Sequence, residues 1–228
     1  MSVLKTAYKQ TFIYGLATVV PRMLSFILVR LHTDKSVLQN VSDYGDVSVI
    51  FAYFVLFNVI LAYGMETAFF RFFNTESEKK KVLSTASLSI IFTSLGFLGL
   101  GLVFQQQIAD LTHVNVNYIT LVVWILFLDA LVIIPFAYLR AQGKPIKYSV
   151  VKLTNVVVNL GLNIFLLLYL QALSVDNSIW NSIYVPNFEV SYIFIANLLA
   201  SGITLLILLP FYFKIKYKID SVLWKKML

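Results

Sequence analysis

The chain has 228 residues, 59% of them hydrophobic and only 13% charged, with a mean hydropathy of +0.82. A water-soluble domain carries about 25% charged residues, and a chain of this length cannot bury so much apolar surface without lipid. The composition therefore excludes an ordinary soluble domain. The absence of cysteine excludes disulfides, thiolate chemistry and cysteine-ligated metal.

Six apolar stretches of membrane-spanning length follow one another, at 10–32, 44–70, 82–104, 117–139, 148–171 and 190–213. The fold class they predict is an all-α membrane protein. The first stretch carries Arg22 at its centre, directly after Pro21. It is too long for a signal-peptide core and no small-residue cleavage site follows it. An arginine at mid-membrane costs about 2.5–3.5 kcal/mol on insertion scales. Arg22 is expected to face a protein interior or a watery cavity, where it can meet an anion. Pro21 removes a backbone donor and predicts a kink of the kind that lines a pathway.

The second stretch opens on Asp43, Tyr44, Gly45 and Asp46. The two acids suit a helix N-terminus better than a catalytic pair. Asn58, inside this stretch, reads as a packing residue, and Glu66 and Arg71 lie towards its end. Five residues apart, those two do not stack on one helix face. Each should seek a partner elsewhere or snorkel, and Arg71 reads as an inter-helix structural residue. The third stretch carries Gly96, Gly99 and Gly101, which predict close helix approach. Their spacing lacks the strand and loop setting that nucleotide binding needs.

Asp129 sits near the centre of the fourth stretch. It either pairs with Arg22 between helices or faces a cavity as a cation or gating site. In the fifth stretch Asn155, Asn159 and Asn163 recur every four residues on one slowly drifting face. They read as inter-helix hydrogen-bonding residues or as a polar track for sugar hydroxyls. Asn197 in the sixth reads as a packing residue.

Fifteen of the eighteen basic residues fall at the N-terminus, in the second and fourth connections, or in the C-terminal tail, among them Lys80, Arg140, Lys144, Lys147, Lys152 and Lys218. Positive residues stay in the cytoplasm, so both termini are expected there. The lysine-free loop 173–188, with Trp180 and Tyr184, reads as an outer loop with an aromatic interface anchor. The same placement argues against nucleic acid as a partner and leaves attraction to anionic lipid as a second role for the tail. His32 and His113 stand at or beyond span ends, and no HExxH, GxSxG or phosphate-loop motif occurs. The expectation is a protein that is not an enzyme and uses neither metal nor cofactor.

Gly64-Met-Glu-Thr-Ala-Phe-Phe-Arg71-Phe, then Asp129 followed by Pro135-Phe-Ala-Tyr-Leu-Arg140-Ala-Gln-Gly-Lys-Pro145, resemble recurring features of the Wzx-like polysaccharide flippases. Tyr44-Gly45 and the asparagine-bearing fifth span fit the same pattern. The resemblance covers essentially the whole chain, and its two junction motifs are specific only together. It implies a transporter of undecaprenyl-diphosphate-linked oligosaccharide for polysaccharide or lipopolysaccharide biosynthesis, working by alternating access in the bacterial inner membrane.

It also implies one six-helix lobe of a two-lobe exporter fold. Family members have twelve to fourteen spans, so the chain reads as an N-terminal lobe whose partner is a C-terminal lobe or a second copy. The substrate-binding residues expected on this basis are Arg22, Asp129, Asn155 and Asn159. Pro21, Glu66, Arg71 and Arg140 are expected to be structural or gating. The rival readings are a multidrug exporter of the same fold and a membrane glycan polymerase or ligase. The latter would want a larger outer loop bearing its chemistry.

Overall fold

The computed structural model describes residues 2–34, 37, 41–176 and 178–228, with side chains for 8, 11–24, 26–34, 37, 45, 47–174 and 179–228. The side chains of Lys5, Lys9, Lys35, Asn40, Asp43, Tyr44, Asp46 and Asp176 lie outside the described residues.

Every regular element among the described residues is helical. In chain order they are α1 Ser2–His32, α2 Val41–Ala62, α3 Met65–Thr75, α4 Lys79–Val103, α5 Gln105–Thr112, α6 Val116–Ala141, α7 Pro145–Ile164, α8 Leu170–Asp176, α9 Ser178–Ile183, α10 Glu189–Tyr212 and α11 Ser221–Met227. A π-helical turn, Phe165–Tyr169, joins α7 to α8. Among the described residues six stretches are long and apolar enough to cross a membrane: Thr11–His32, Val47–Thr75, Lys79–Val103, Val116–Ala141, Pro145–Ser174 and Glu189–Tyr212. They overlap the six expected spans one for one, and the protein is an all-α membrane protein of six transmembrane helices.

The second span is built in two pieces. Tyr63 and Gly64 take left-handed backbone angles (φ 29° and 73°) and separate α2 from α3. Glycine adopts that conformation without the steric penalty a Cβ imposes. The chain resumes as α3, with the Ala68 N–H donating to the Gly64 carbonyl (3.0 Å). Met65, Phe69 and Phe73, spaced by four, bury one face of α3, and the Phe73 ring meets Tyr138 of α6 edge-on at 5.8 Å. Arg71 lies two residues from both Phe69 and Phe73, on the opposite face. The expectation of an inter-helix role for it is corrected here: Arg71 is exposed, with its guanidinium 5.6 Å from the ring of its neighbour Phe72.

Helices α4, α6 and α10 form the packed centre. Gly101 of α4 meets Val123 of α6 so closely that a Cβ would lie 2.8 Å from a valine methyl, the close approach that the glycines predicted. Gly96 and Gly99 face open space, so the prediction holds for one glycine of the three. Phe194 of α10 is wholly buried, 5.8 Å from the rings of both Phe51 and Tyr118.

Beyond α10 the chain runs without regular structure to α11, which packs on α4 and α3. Asp220 caps α11 by accepting from the N–H groups of Val222 and Leu223 (3.1 and 3.0 Å). The Leu223 N–H is the first cause holding its carboxyl below the usual carboxylate range; the Val222 N–H, Lys81 and Lys226 add to it. Hydroxyl groups of α4 fasten the segment. The Thr85 oxygen accepts from the Asp220 N–H (3.2 Å), and Ser89 accepts from the Trp224 indole (2.8 Å).

Candidate functional site: a polar cleft between the first two helices

On α1, Tyr14, Ala17, Pro21, Leu24, Leu28 and His32 form an inward stripe at helical spacing, and this stripe packs against α7. Helix α2 packs instead on α6 and α4, and among the described residues α1 and α2 barely touch. The gap between them is a cleft walled by α1 and α2 and floored by α6, α7 and α10.

One half of the cleft is a cavity of ≈ 430 Å³. Pro21, Asn58, Glu66, Asp129, Arg140, Tyr148, Lys152, Asn155 and Thr204 line it, from five transmembrane segments. Arg140 donates to Glu66 in an ion pair joining α6 to α3, with the two side chains 35% and 40% exposed. Its guanidinium also lies 4.8 Å from the Phe70 ring and 5.8 Å from Tyr148, while its Nε is buried without a partner among the described residues. The Lys152 ammonium stands 5.2 Å from the Phe136 ring and 5.8 Å from Tyr148. Asp129 accepts a hydrogen bond from Ser201 of α10 (2.7 Å) and interacts electrostatically with Lys152 without an ion pair inside 4.0 Å.

Among the described residues the cavity wall thus carries two acids and two bases. Only one base is paired directly. Aromatic faces cover the other side of both cations, which favours a positive group while leaving its donors available.

The other half is a cavity of ≈ 460 Å³ bounded by Leu28 and His32 of α1, Val47 and Phe51 of α2, Asn159 and Asn163 of α7, and Asn197 of α10. Along α7 the two cavities are consecutive. From Lys152 to Asn163 the helix rises about 16 Å at 1.5 Å per residue, roughly half of the ~30 Å hydrocarbon core. Polar side chains of α7 therefore recur along a length comparable to about half of that core.

The asparagine series combines inter-helix hydrogen bonds with places on the cavity walls. The Asn155 amide donates to Thr204 (2.9 Å) and also lines the first cavity. Asn159 lines the second cavity and accepts from the Asn163 amide on both its backbone and side-chain oxygens (2.9 and 2.6 Å). Asn163 is fully buried, with its oxygen 3.0 Å from Nε2 of buried His32, and ties α1 to α7. Asn58 and Asn197, expected to be packing residues, both reach a cavity wall.

Arg22 is the main displacement from expectation. It is exposed and lines neither cavity. One residue along a helix is a rotation of about 100°, so Pro21 faces the cleft while Arg22 falls on an uncovered side of α1. The pairing of Arg22 with Asp129 is likewise corrected. Asp129 is held by Ser201, and the cation that acts on it is Lys152.

Lys152 is a cleft residue that the sequence disguises, because it follows Lys144 and Lys147 and reads with them as a connection charge. Tyr148, Lys152, Asn155, Asn159 and Asn163 follow one another at steps of three and four residues, so helical phase alone aligns Lys152 with the asparagines. His32 is disguised as well, since an apparent span end gives no sign of burial. No protein-family model, no curated protein and no solved structure matches the chain. The chemistry of the cleft is what supports a functional reading.

Proposed function

We propose that this protein is one lobe of a Wzx-like flippase, which carries undecaprenyl-diphosphate-linked oligosaccharide from the inner to the outer leaflet of the bacterial inner membrane by alternating access. The observation that carries the proposal is the cleft itself, which holds charged groups in one half and asparagines among apolar side chains in the other, and is walled by two helices that barely touch. Sugars and phosphates cannot cross hydrocarbon unaided, because each unsatisfied polar group costs several kcal/mol there. A polyprenyl tail needs no protein path, being as apolar as the lipid around it. A groove open on its long side serves such a molecule: the head group travels inside and the tail stays in lipid.

Arg140 and Lys152 would meet the diphosphate, with Glu66 releasing Arg140 as the anion arrives. Asn155 and Asn159 would meet sugar hydroxyls. The lysine-rich ends of the spans lie in the cytoplasm on this reading, so the cationic half of the cleft loads first. Arg22 would be covered by a second lobe or a second copy, since a mid-span arginine on an uncovered face is too costly to leave to lipid.

The test is complementation of a flippase-null strain by the full protein, scored beside membrane abundance. Lys152→Gln should reduce polymer export about tenfold or more, from loss of a charge-assisted contact worth ~1.5–3 kcal/mol, and leave abundance near normal. Lys152→Arg should restore most of it. Undiminished export by Lys152→Gln would sink the phosphate role of this cleft.

A further inference from the structure

We propose a second binding site, for the head group of an anionic phospholipid, between the start of α4 and the segment that follows α10. It is independent of the cleft. A cavity of ≈ 490 Å³ opens there, with Lys80, Lys81, Lys216 and Lys218 in its wall together with Glu78 and Asp220.

Both acids are already engaged. Glu78 accepts from Lys81 in an exposed ion pair at 2.8 Å. Asp220 spends one carboxylate oxygen on the two N–H groups that begin α11. Lys80, Lys216 and Lys218 have no anionic partner within 4.0 Å among the described residues. Four lysines against two acids leave the wall at +2, with three ammonium groups free to bind an anion.

The site is held in shape rather than draped over the surface. The Lys218 N–H donates to the Lys216 carbonyl (2.7 Å) across a tight turn. Buried Ile215 and Leu223 anchor the segment on either side, and the Thr85 and Ser89 bonds fasten it to α4.

Depth and flanking chemistry choose a lipid over a free anion. The site lies where two spans end, Lys79 beginning one and Tyr212 finishing another, which is the level of lipid head groups. Large apolar side chains stand exposed beside the lysines: Phe213 at 78%, Tyr217 and Val222 at 67%. Cations at head-group level next to exposed aromatic and aliphatic groups form a two-part surface, one part for a phosphate and the other for acyl chains.

The probe is short-chain phosphatidylglycerol, titrated onto the full chain in neutral detergent and read by native mass spectrometry. Each lysine near a membrane surface contributes roughly fivefold in affinity, so the triple variant Lys80→Gln, Lys216→Gln, Lys218→Gln should bind about 100-fold more weakly. The same three positions changed to arginine should bind as the parent does, which separates loss of charge from loss of fold. Lys144→Gln with Lys147→Gln, changing basic residues outside this wall, should have no effect. The site is refuted if the triple glutamine variant binds as the parent does, or if the Lys144 and Lys147 control weakens binding equally. Glycerol phosphate and inorganic phosphate, which have a phosphate and no chains, should bind far more weakly. Equal affinity for them would replace the lipid with a free anion and overturn the proposal.

Discussion

Helices α4, α6 and α10 and helices α1 and α2 are equally able to span a membrane, yet they are used in opposite ways. In the first group 44–50% of the apolar window is buried within the protein; in α1 the share is 6%, and in the second span 17%. The first group interlocks through close contacts such as Gly101 on Val123. The second group leans on α7 and α6 separately and leaves a cleft. Membrane helices have no hydrophobic driving force towards one another, because lipid is as apolar as they are, and so depend on close van der Waals fit. Tight packing therefore has to be built from small residues and fitted shapes. Where those are lacking, the helices stay apart and polar groups can line the gap.

The largest expected effect falls where α10 packs against α2 and α6. Phe194→Ala empties a fully buried position between Phe51 and Tyr118. It should cost about 3–5 kcal/mol by the usual cost of such truncations, read as a lower unfolding midpoint in detergent. Asn155→Ala, at the cleft, should move that midpoint much less. Equal losses would mean that the cleft is as much a part of the packed framework as the core.

An intermediate effect probes the charges of the cleft. Arg140→Gln leaves Glu66 without its partner and should destabilise by roughly 1–3 kcal/mol, the range for a stranded polar group. The pair is more than a third exposed, so water will take up part of that cost. Adding Glu66→Gln should recover most of the loss, since the stranded acid is then neutral. Strict additivity of the two changes would show that the pair contributes nothing as a pair.

A comparable effect, set against a near-neutral one, sharpens the contrast within a single helix. Gly101→Ala forces a methyl against Val123 and should cost about 1–3 kcal/mol as overpacking. Gly99→Ala has open space and should be neutral or stabilising by up to ~1 kcal/mol, because glycine is the poorer helix former. Equal responses in thermal unfolding would contradict the position of α6 against α4.

Much of the cleft could be read in advance, and its errors share one cause. Asp129 was singled out because a lone acid in an apolar run has few bland explanations, and it does line the cavity. Arg22 was singled out by the same logic and lies outside it. Depth along a span follows from counting residues, whereas direction around the helix depends on which neighbour packs where. Lys152 was passed over because its charge resembled those in the connection before it. Its phase with Tyr148 and the asparagines is visible in the sequence, but that face becomes a cavity wall only because α1 and α2 stand apart. The Arg140–Glu66 pair joins residues 74 positions apart, on helices whose adjacency no local pattern specifies.

The sequence by itself determined the class of protein and the number of spans. Those properties depend on the free energy of transferring each segment from water to lipid, a sum over local composition that needs no knowledge of neighbours. Tertiary structure alone decided that the second span breaks at Tyr63 and Gly64, that Asp129 leans on Ser201 with Lys152 in reach, and that Arg22 faces outward. These depend on how helices fit side by side, where single contacts such as Gly101 on Val123 set the separation and rotation of whole elements. Such contacts join residues far apart in the chain, so their geometry is fixed only when the helices have packed.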